Sequence, residues 1–160
     1  EKEAALAKKI PMADDITVEA DSGGHTDGRP MVSMLPALIA LANRKQAEFG
    51  YQKKVRVGAG GGVGTGLSCL GAFEMGAAYV VTGSVNQGCV ESGTSDYVKQ
   101  ILAETAMADV TMAPCADMFE MGAKVEVIKK KTMYAQNAQK LYDDSPSAAF
   151  IFLSPLSHIY

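Results

Sequence analysis

Two glycine-rich loops, each following a short apolar run, are the residues with the clearest capacity for chemistry. The first loop holds Gly60, Gly61 and Gly62, and the second holds Gly83 and Ser84. Glycine lets the backbone approach a ligand closely, and a loop that opens a helix points free N–H groups at one spot where an anion fits. Two successive strands ending in such loops predict one shared phosphate site.

Other glycine-based phosphate sites fit less well. A P-loop requires Lys-Ser or Lys-Thr after its glycines, and neither is present here. A dinucleotide site would have Gly at Val63 and an acidic residue after the next strand, where Thr82, Gly83 and Ser84 stand. The pattern favours the phosphate site that (β/α)8 barrels build from the loops after two consecutive strands.

His25 is the candidate for proton transfer. It follows Gly23 and Gly24 in the polar loop after the first predicted strand, where parallel α/β proteins bind ligands. Imidazole exchanges protons near neutral pH. A loop histidine bonded to backbone is the alternative, and the rim shared with the glycine loops favours chemistry.

The polar neighbours of His25 suggest two other sites, which we disfavour. Glu19, Asp21 and Asp27 flank the histidine, but an oxygen-rich metal loop needs more widely spaced ligands. Ser22, His25 and Asp27 do not predict a catalytic triad, because triad members come from separate regions of the chain.

The elements that must position these residues alternate between strand and helix. Helical patterns cover 3–9, 31–47, 66–75 and 95–107, and strand patterns cover 16–20, 55–57 and 78–81. Alternation of this kind predicts a parallel sheet with right-handed crossovers. An open doubly wound sheet and a barrel both remain candidates. Three strands cannot close a barrel, so the barrel alternative makes this chain part of a larger or truncated protein.

The character of the chain changes after Ala108. Residues 109–145 predict a small subdomain with a hairpin or added edge strand and a helix over 134–142. Methionine adapts to irregular apolar shapes, so the four methionines of this segment could line an acyl pocket. We favour ordinary core filling. The four are Met112, Met118, Met121 and Met133.

The composition indicates a globular cytoplasmic protein. The 160 residues are 48% hydrophobic and 21% charged, with a net charge of −3, which disfavours nucleic-acid binding. Cys69, Cys89 and Cys115 form no CxxC pair and predict reduced thiols. The start of the chain does not resemble a signal peptide. The apolar segment 148–156 is too short to span a membrane.

Several segments together resemble a known flavoprotein family. Residues 19–27 (EADSGGHTD), with the two glycine loops in the same order, resemble the nitronate monooxygenase, or 2-nitropropane dioxygenase-like, flavoproteins. The same 19–27 segment, with residues 82–87 (TGSVNQ), 108–114 (ADVTMAP) and 117–120 (DMFE), is more similar to the PfaD-type branch, the trans-acting enoyl reductases of polyketide and polyunsaturated fatty acid synthases. The resemblance runs from about Ala5 to about Tyr142.

The resemblance implies an α/β fold, the C-terminal portion of an FMN-binding (β/α)8 barrel. About three β/α units would occupy 1–108, a substrate or lid subdomain 109–145, and a divergent tail 146–160. It implies reduction of an enoyl thioester on an acyl carrier protein, with NADPH as hydride source, and it is compatible with a homodimer. Nitronate oxidation and an inactive, truncated flavin- or phosphate-binding fragment are the alternatives.

The resemblance also assigns residues. Gly60, Gly61 and Gly62 would hold the FMN phosphate together with Gly83 and Ser84. The segment 22–24, that is Ser22, Gly23 and Gly24, would line the flavin. His25 would face its reactive side as the proton donor or as the group that polarises the substrate.

Overall fold

The computed structural model describes residues 2–7, 9–23, 26 and 28–145. The described strands are β1 (Asp15–Glu19), β2 (Arg56–Gly60), β3 (Val80–Val81), β4 (Val110–Pro114) and β5 (Lys124–Ile128). The described α-helices are α1 (Lys2–Ala7), α2 (Met31–Phe49), α3 (Gly66–Glu74), α4 (Ser84–Gln87), α5 (Asp96–Ala103) and α6 (Tyr134–Asp143), with 3-10 turns at Met107–Asp109 and Ala116–Met121.

The described residues form two compact units, with the main division after Asn86. The proposed boundary at residue 108 between the barrel portion and the subdomain stays a prediction. The predicted tail, 146–160, lies outside the described residues. Among the residues that are described, no helix is both long and apolar enough to cross a bilayer.

The first unit is a parallel sheet in the order β1-β2-β3. Asp15 pairs with Arg56 and Glu19 with Gly60, while Gly60 also pairs with Val81. Arg56 donates from Nε and Nη2 to the two carboxylate oxygens of Asp15, at 2.6 and 2.7 Å, across the start of this ladder. The three strands therefore run in one direction and end at one edge, as the β/α alternation predicted.

Helices α2 and α3 supply the apolar partners of this sheet. The core cluster consists of Val18, Leu35, Val57, Ala59, Ala72 and Ala77. Helix α2 ends at Gly50, whose φ of 59° lies in the left-handed region that glycine adopts without strain. Of the large side chains described, only Leu35 and Val18 are less than 2% exposed. This unit therefore has a small core.

The second unit contains an antiparallel pair, β4 with β5, in which Val110 faces Ile128 and Pro114 faces Lys124. Helix α6 packs against β4, with Ala138 buried. The expected hairpin and the helix that follows it are confirmed. The preference for methionine core filling is wrong for Met112, Met121 and Met133, which are 48%, 72% and 59% exposed.

Three predicted boundaries are corrected. Strand β2 continues through Gly58 to Gly60, which the sequence assigned to the loop, because all five of its residues pair with β1. Strand β3 is reduced to Val80–Val81. Helix α5 ends at Ala103 rather than at residue 107, and the Thr105 hydroxyl bonds the Ile101 carbonyl at 2.6 Å just beyond this end.

Candidate functional site

The carboxyl ends of β1, β2 and β3 place the predicted loops side by side. Because Glu19 pairs with Gly60 and Gly60 with Val81, the residues after each strand leave the sheet at the same level. Neighbouring strands lie about 4.8 Å apart. The Gly61–Gly62 turn is thus flanked by the residues after β1 on one side and by Thr82 and Gly83 on the other.

Position 61 requires glycine because of its backbone conformation and the neighbouring Ala20 backbone. Its φ is +91°, and a Cβ built on it would collide with the backbone carbonyl of Ala20. The Ala20 N–H donates to the Gly60 carbonyl at 2.9 Å, so the residue after β1 and the turn after β2 are in direct backbone contact. Gly62 also has a positive φ, +68°, but its Cβ would only approach the Asp21 carbonyl oxygen at 3.6 Å.

The first loop has both occupied and available N–H groups. The N–H groups of Gly64 and Thr65 donate to the Ser68 hydroxyl at 3.2 and 2.9 Å, within a capping box at the start of α3. Within the described part of the chain, no hydrogen bond is present from the N–H of Gly61 or Gly62. The two glycines therefore offer donors to a ligand.

The second loop is braced by Asn86. The Thr82 hydroxyl donates to Asn86 Oδ1 at 3.0 Å, and Asn86 Nδ2 donates to the Thr82 carbonyl at 2.9 Å. The Asn86 N–H donates to the Gly83 carbonyl at 2.9 Å. A Cβ on Gly83 would meet nothing within 4 Å. Gly83 and Ser84 are exposed, and their N–H groups have no acceptor among the described residues.

A cavity of about 430 Å³ adjoins the first loop. Its lining includes Gly61, Gly62 and Asp21, together with Met31 of α2 and Met75, the residue after α3. Gly83 and Ser84 are outside it. The first loop therefore lines an open cavity, and the second loop is an exposed surface.

The loop that carries the proposed proton donor is described in part. Ser22 is half-buried and Gly23 is exposed, while Gly24, His25 and Asp27 lie outside the described residues. The Asp21 N–H donates to the Arg29 carbonyl at 2.9 Å. The backbone at the two ends of the loop is thus joined by a hydrogen bond.

One of the three cysteines, Cys115, is hydrogen-bonded to a neighbouring carboxylate. Among the described residues, Cys69, Cys89 and Cys115 form no disulfide. Cys115 donates its thiol proton to Asp117 at 2.6 Å, and this hydrogen bond, with burial and the Asp117 charge, raises the pKa of the thiol. No group of three or more metal-binding side chains occurs in the described ranges.

Sequence reasoning identified the two glycine loops but missed Ser68 and Asn86, the side chains that brace them. Thr65 followed by Ser68 is a capping pattern and could have been recognised. Asn86 lies in the 82–87 segment that carries the resemblance, but its contact with Thr82 depends on the turn that follows β3.

The chain is similar to proteins of polyketide and fatty acid biosynthesis. It is 53% identical over 145 residues to a polyunsaturated fatty acid synthase subunit of Thraustochytrium sp., covering 89% of this chain and 10% of that relative. It is 50% identical over 141 residues to "Polyketide biosynthesis protein PksE" of Bacillus subtilis, covering 88% and 18%. A "Nitronate monooxygenase" of Neurospora crassa is 33% identical over 87 residues, 53% of this chain and 22% of that relative. No family model matches.

Two kinds of solved structure share the fold. The enoyl reductase domain of MlnA, from the macrolactin biosynthesis cluster of Bacillus amyloliquefaciens, has a TM-score of 0.80 at 38% identity, covering 99% of this chain and 34% of that one. FabK of Thermotoga maritima has a TM-score of 0.66 at 21% identity, covering 93% and 42%. The FabK likeness concerns the fold alone.

The chain spans a minor part of each relative, 10% and 18% of the two biosynthesis proteins and 34% of the MlnA domain. These relatives agree with the resemblance carried by the histidine loop and the segments after it. The chain is thus a homologue of polyunsaturated fatty acid synthase subunits and PksE, with the MlnA enoyl reductase domain as a structural neighbour, and it fits a PfaD-like fragment.

Proposed function

We propose that this chain is the phosphate-binding part of an FMN-dependent enoyl reductase that uses NADPH to reduce an enoyl thioester on an acyl carrier protein. The observation that carries the proposal is the pairing of Glu19 with Gly60 and of Gly60 with Val81. It brings the loops after three parallel strands to one edge. The likeness to the MlnA enoyl reductase domain supports the reaction class.

The donor set suits a phosphate group. Gly61, Gly62, Gly83 and Ser84 present backbone N–H groups with no acceptor in the described residues, and hydrogen bonds to a charged group contribute about 1.5–3 kcal/mol each. FMN carries one such phosphate, and when bound it would supply hydride transfer. These four residues would hold the phosphate, and Ser22, Gly23 and Gly24 would line the ring.

Gly60 has a different place from its neighbours in the proposal. It belongs to β2, and its carbonyl already accepts from the Ala20 N–H. A Cβ there would lie 3.2 Å from Thr17 Cγ2 and 3.7 Å from Val81 Cβ. We propose that Gly60 keeps the sheet surface beneath the loop clear of side chains, while the two glycines that follow it in the turn supply the donors.

His25 is proposed as the proton donor or polarising group. Reduction of an enoyl thioester places negative charge on the thioester oxygen and then requires a proton at the α-carbon. An imidazole beside the substrate would hydrogen-bond the oxygen or deliver that proton. The loop that carries His25 starts from the same sheet edge as the glycine turn, since Glu19 pairs with Gly60.

The barrel and the partners complete the proposal. The three parallel β/α units would be consecutive units of a (β/α)8 barrel whose other strands belong to the rest of the protein. The acyl carrier protein is proposed because relatives belong to polyketide and polyunsaturated fatty acid synthesis. A homodimer is the proposed assembly.

Nitronate oxidation is the second candidate, and the Neurospora crassa relative favours it. Two of its features would be shared with the leading proposal: the flavin phosphate site and the histidine loop. The stronger likeness to biosynthesis proteins, at 53% and 50% identity, favours enoyl reduction.

The test uses the full-length protein, purified and assayed for bound FMN. Enoyl thioester on a carrier protein and an alkyl nitronate are offered separately, with NADPH consumption measured for the first and oxygen consumption for the second. NADPH-dependent loss of the enoyl group supports the proposal. Turnover of nitronate alone supports the second candidate, and a protein that binds no flavin contradicts both.

A further inference from the structure

We propose that Asn86 is a positioning residue for the phosphate end of the ligand, acting through the backbone of Thr82 and Gly83. The inference rests on the proposed FMN site and assigns a role to a side chain outside it. Asn86 makes two side-chain hydrogen bonds with Thr82 and a backbone bond to Gly83. Together these hydrogen bonds hold Thr82 and Gly83, the first two residues of the second loop.

The side-chain amide of Asn86 both accepts and donates a hydrogen bond. Its Oδ1 accepts the Thr82 hydroxyl at 3.0 Å, and its Nδ2 donates to the Thr82 carbonyl at 2.9 Å. Its N–H donates to the Gly83 carbonyl. The acceptors on this side of the loop are therefore occupied by Asn86, and the N–H groups of Gly83 and Ser84 have no acceptor within the described part of the chain.

Preorganisation gives this brace a consequence for binding. A loop that must be ordered when the ligand arrives loses affinity to the entropy of ordering, and a loop already held in place does not. Gly83 makes this cost significant because glycine has the largest backbone freedom, and a Cβ there would find open space. Asn86 would therefore determine how well the second loop meets an anion.

The first loop provides a second, independent part of the same site. Its turn is held by the close backbone contact between Gly61 and Ala20 and by the Thr65–Ser68 capping box. Asn86 does not contribute to either. Loss of Asn86 should thus loosen the second loop and leave the first loop unchanged, giving a partial loss of affinity.

The test compares FMN with riboflavin, which has the same ring and lacks the phosphate. In the full-length protein, Asn86→Ala should weaken FMN binding about tenfold, the scale of one hydrogen bond to a charged group. Riboflavin binding should change less than about twofold, within the scatter of a single neutral contact. Flavin fluorescence titration measures both affinities.

Two further variants sharpen the comparison. Asn86→Asp keeps the acceptor for the Thr82 hydroxyl, loses the Nδ2 donor and adds a negative charge. It should therefore weaken FMN binding more than Asn86→Ala does. Added salt should reduce the difference between the two variants, because salt screens the repulsion between the carboxylate and the phosphate. Thr82→Val removes the hydroxyl alone and should weaken FMN less. Asn43→Ala, on the exposed surface of α2, is the matched control and should leave both affinities unchanged.

The outcomes distinguish a positioning role of Asn86 from general support of the fold. Equal losses for FMN and riboflavin would show that Asn86 supports the fold generally, and unchanged FMN affinity would show that it positions nothing; either result overturns the inference. If the parent protein binds FMN no better than riboflavin, the inference fails together with the proposed phosphate site, while flavin-dependent enoyl reduction stands. If the parent binds neither, the proposed function fails with it.

Discussion

At the scale of single residues, the glycines of the candidate site have separable roles. Gly61 is required by the Ala20 backbone, whereas a Cβ on Gly83 would enter open space. A Gly61 substitution would disturb the fold before it tested phosphate binding. Gly83 is therefore the position at which a side chain can obstruct a ligand with little effect on the chain.

Gly83→Val should reduce FMN affinity about ten- to hundredfold, since losing one hydrogen bond to a charged group costs about 1.5–3 kcal/mol. Thermal denaturation of the unliganded protein should be nearly unchanged. Gly93→Val is the control, because a Cβ there also meets nothing within 4 Å. Normal FMN affinity in the Gly83 variant would remove the second loop from the site.

His25→Ala in the full-length enzyme should slow enoyl reduction about 10²–10⁴-fold, the usual contribution of a positioned acid or base. The protein should remain yellow, and flavin reduction by NADPH should continue at the parental rate. Stopped-flow spectroscopy separates the two half-reactions. Enoyl turnover within a few-fold of the parent would make His25 a structural loop residue.

At the scale of elements, the candidate site depends on the backbone contact between Ala20, which follows β1, and the turn after β2. Most of the helices and the parallel alternation were predictable, because hydrophobic spacing and capping residues are local signals. The extension of β2 through Gly58 was not. Gly58 is a strand residue because it pairs with Thr17 of β1. Position 58 requires glycine because the Tyr79 ring occupies the space that a Cβ would fill.

Gly61→Ala should destabilise the protein, because it forces a side chain against the Ala20 carbonyl at a φ of +91°. Strain of this kind costs about 1–3 kcal/mol, and the backbone clash adds to it. Gly64→Ala is the matched control, with nothing within 4 Å of its Cβ. Urea denaturation compares the two; equal midpoints would show that the backbone contact with Ala20 tolerates a side chain.

The Asp15–Arg56 pair joins β1 to β2 at the other end of the ladder. The hydrogen bonds from Arg56 lower the pKa of Asp15 below its ordinary 3.8. The pair therefore stabilises the fold above pH 3.8, and this contribution disappears as the pH falls through the lowered value. Asp15→Asn should reduce the loss of stability on acidification, seen in denaturation midpoints between neutral and acid pH. Asp144→Asn, after α6, is the comparison, and an equal effect from both would contradict a specific role.

At the scale of the whole molecule, much apolar surface of the described residues is uncovered. On α3, Leu67, Leu70 and Phe73 are 81%, 54% and 48% exposed. In the described sheet, β1 and β3 each pair with β2 alone, so each has one unpaired edge. Unpaired strand edges and exposed apolar residues promote association.

The 160-residue chain expressed by itself should consequently self-associate. Sedimentation velocity across a range of protein concentrations should show species larger than a monomer, and thermal unfolding should be broad. The full-length protein is the control and should give a single defined species. A monomeric chain of this length with one cooperative transition would show that the described core suffices.

The sequence by itself determined the alternation of strands and helices, the two glycine loops and the histidine loop between the first strand and its helix. These features depend on residues that are close in the chain, and the same local segments carry the family resemblance. Only the tertiary structure decided that Gly61 meets Ala20, that Gly58 makes room for Tyr79 and that Asn86 braces Thr82. It also decided that three methionines expected in the core are exposed. The physical reason is register: a strand's composition indicates that it pairs, but its partner residues are set by the packing of the whole sheet.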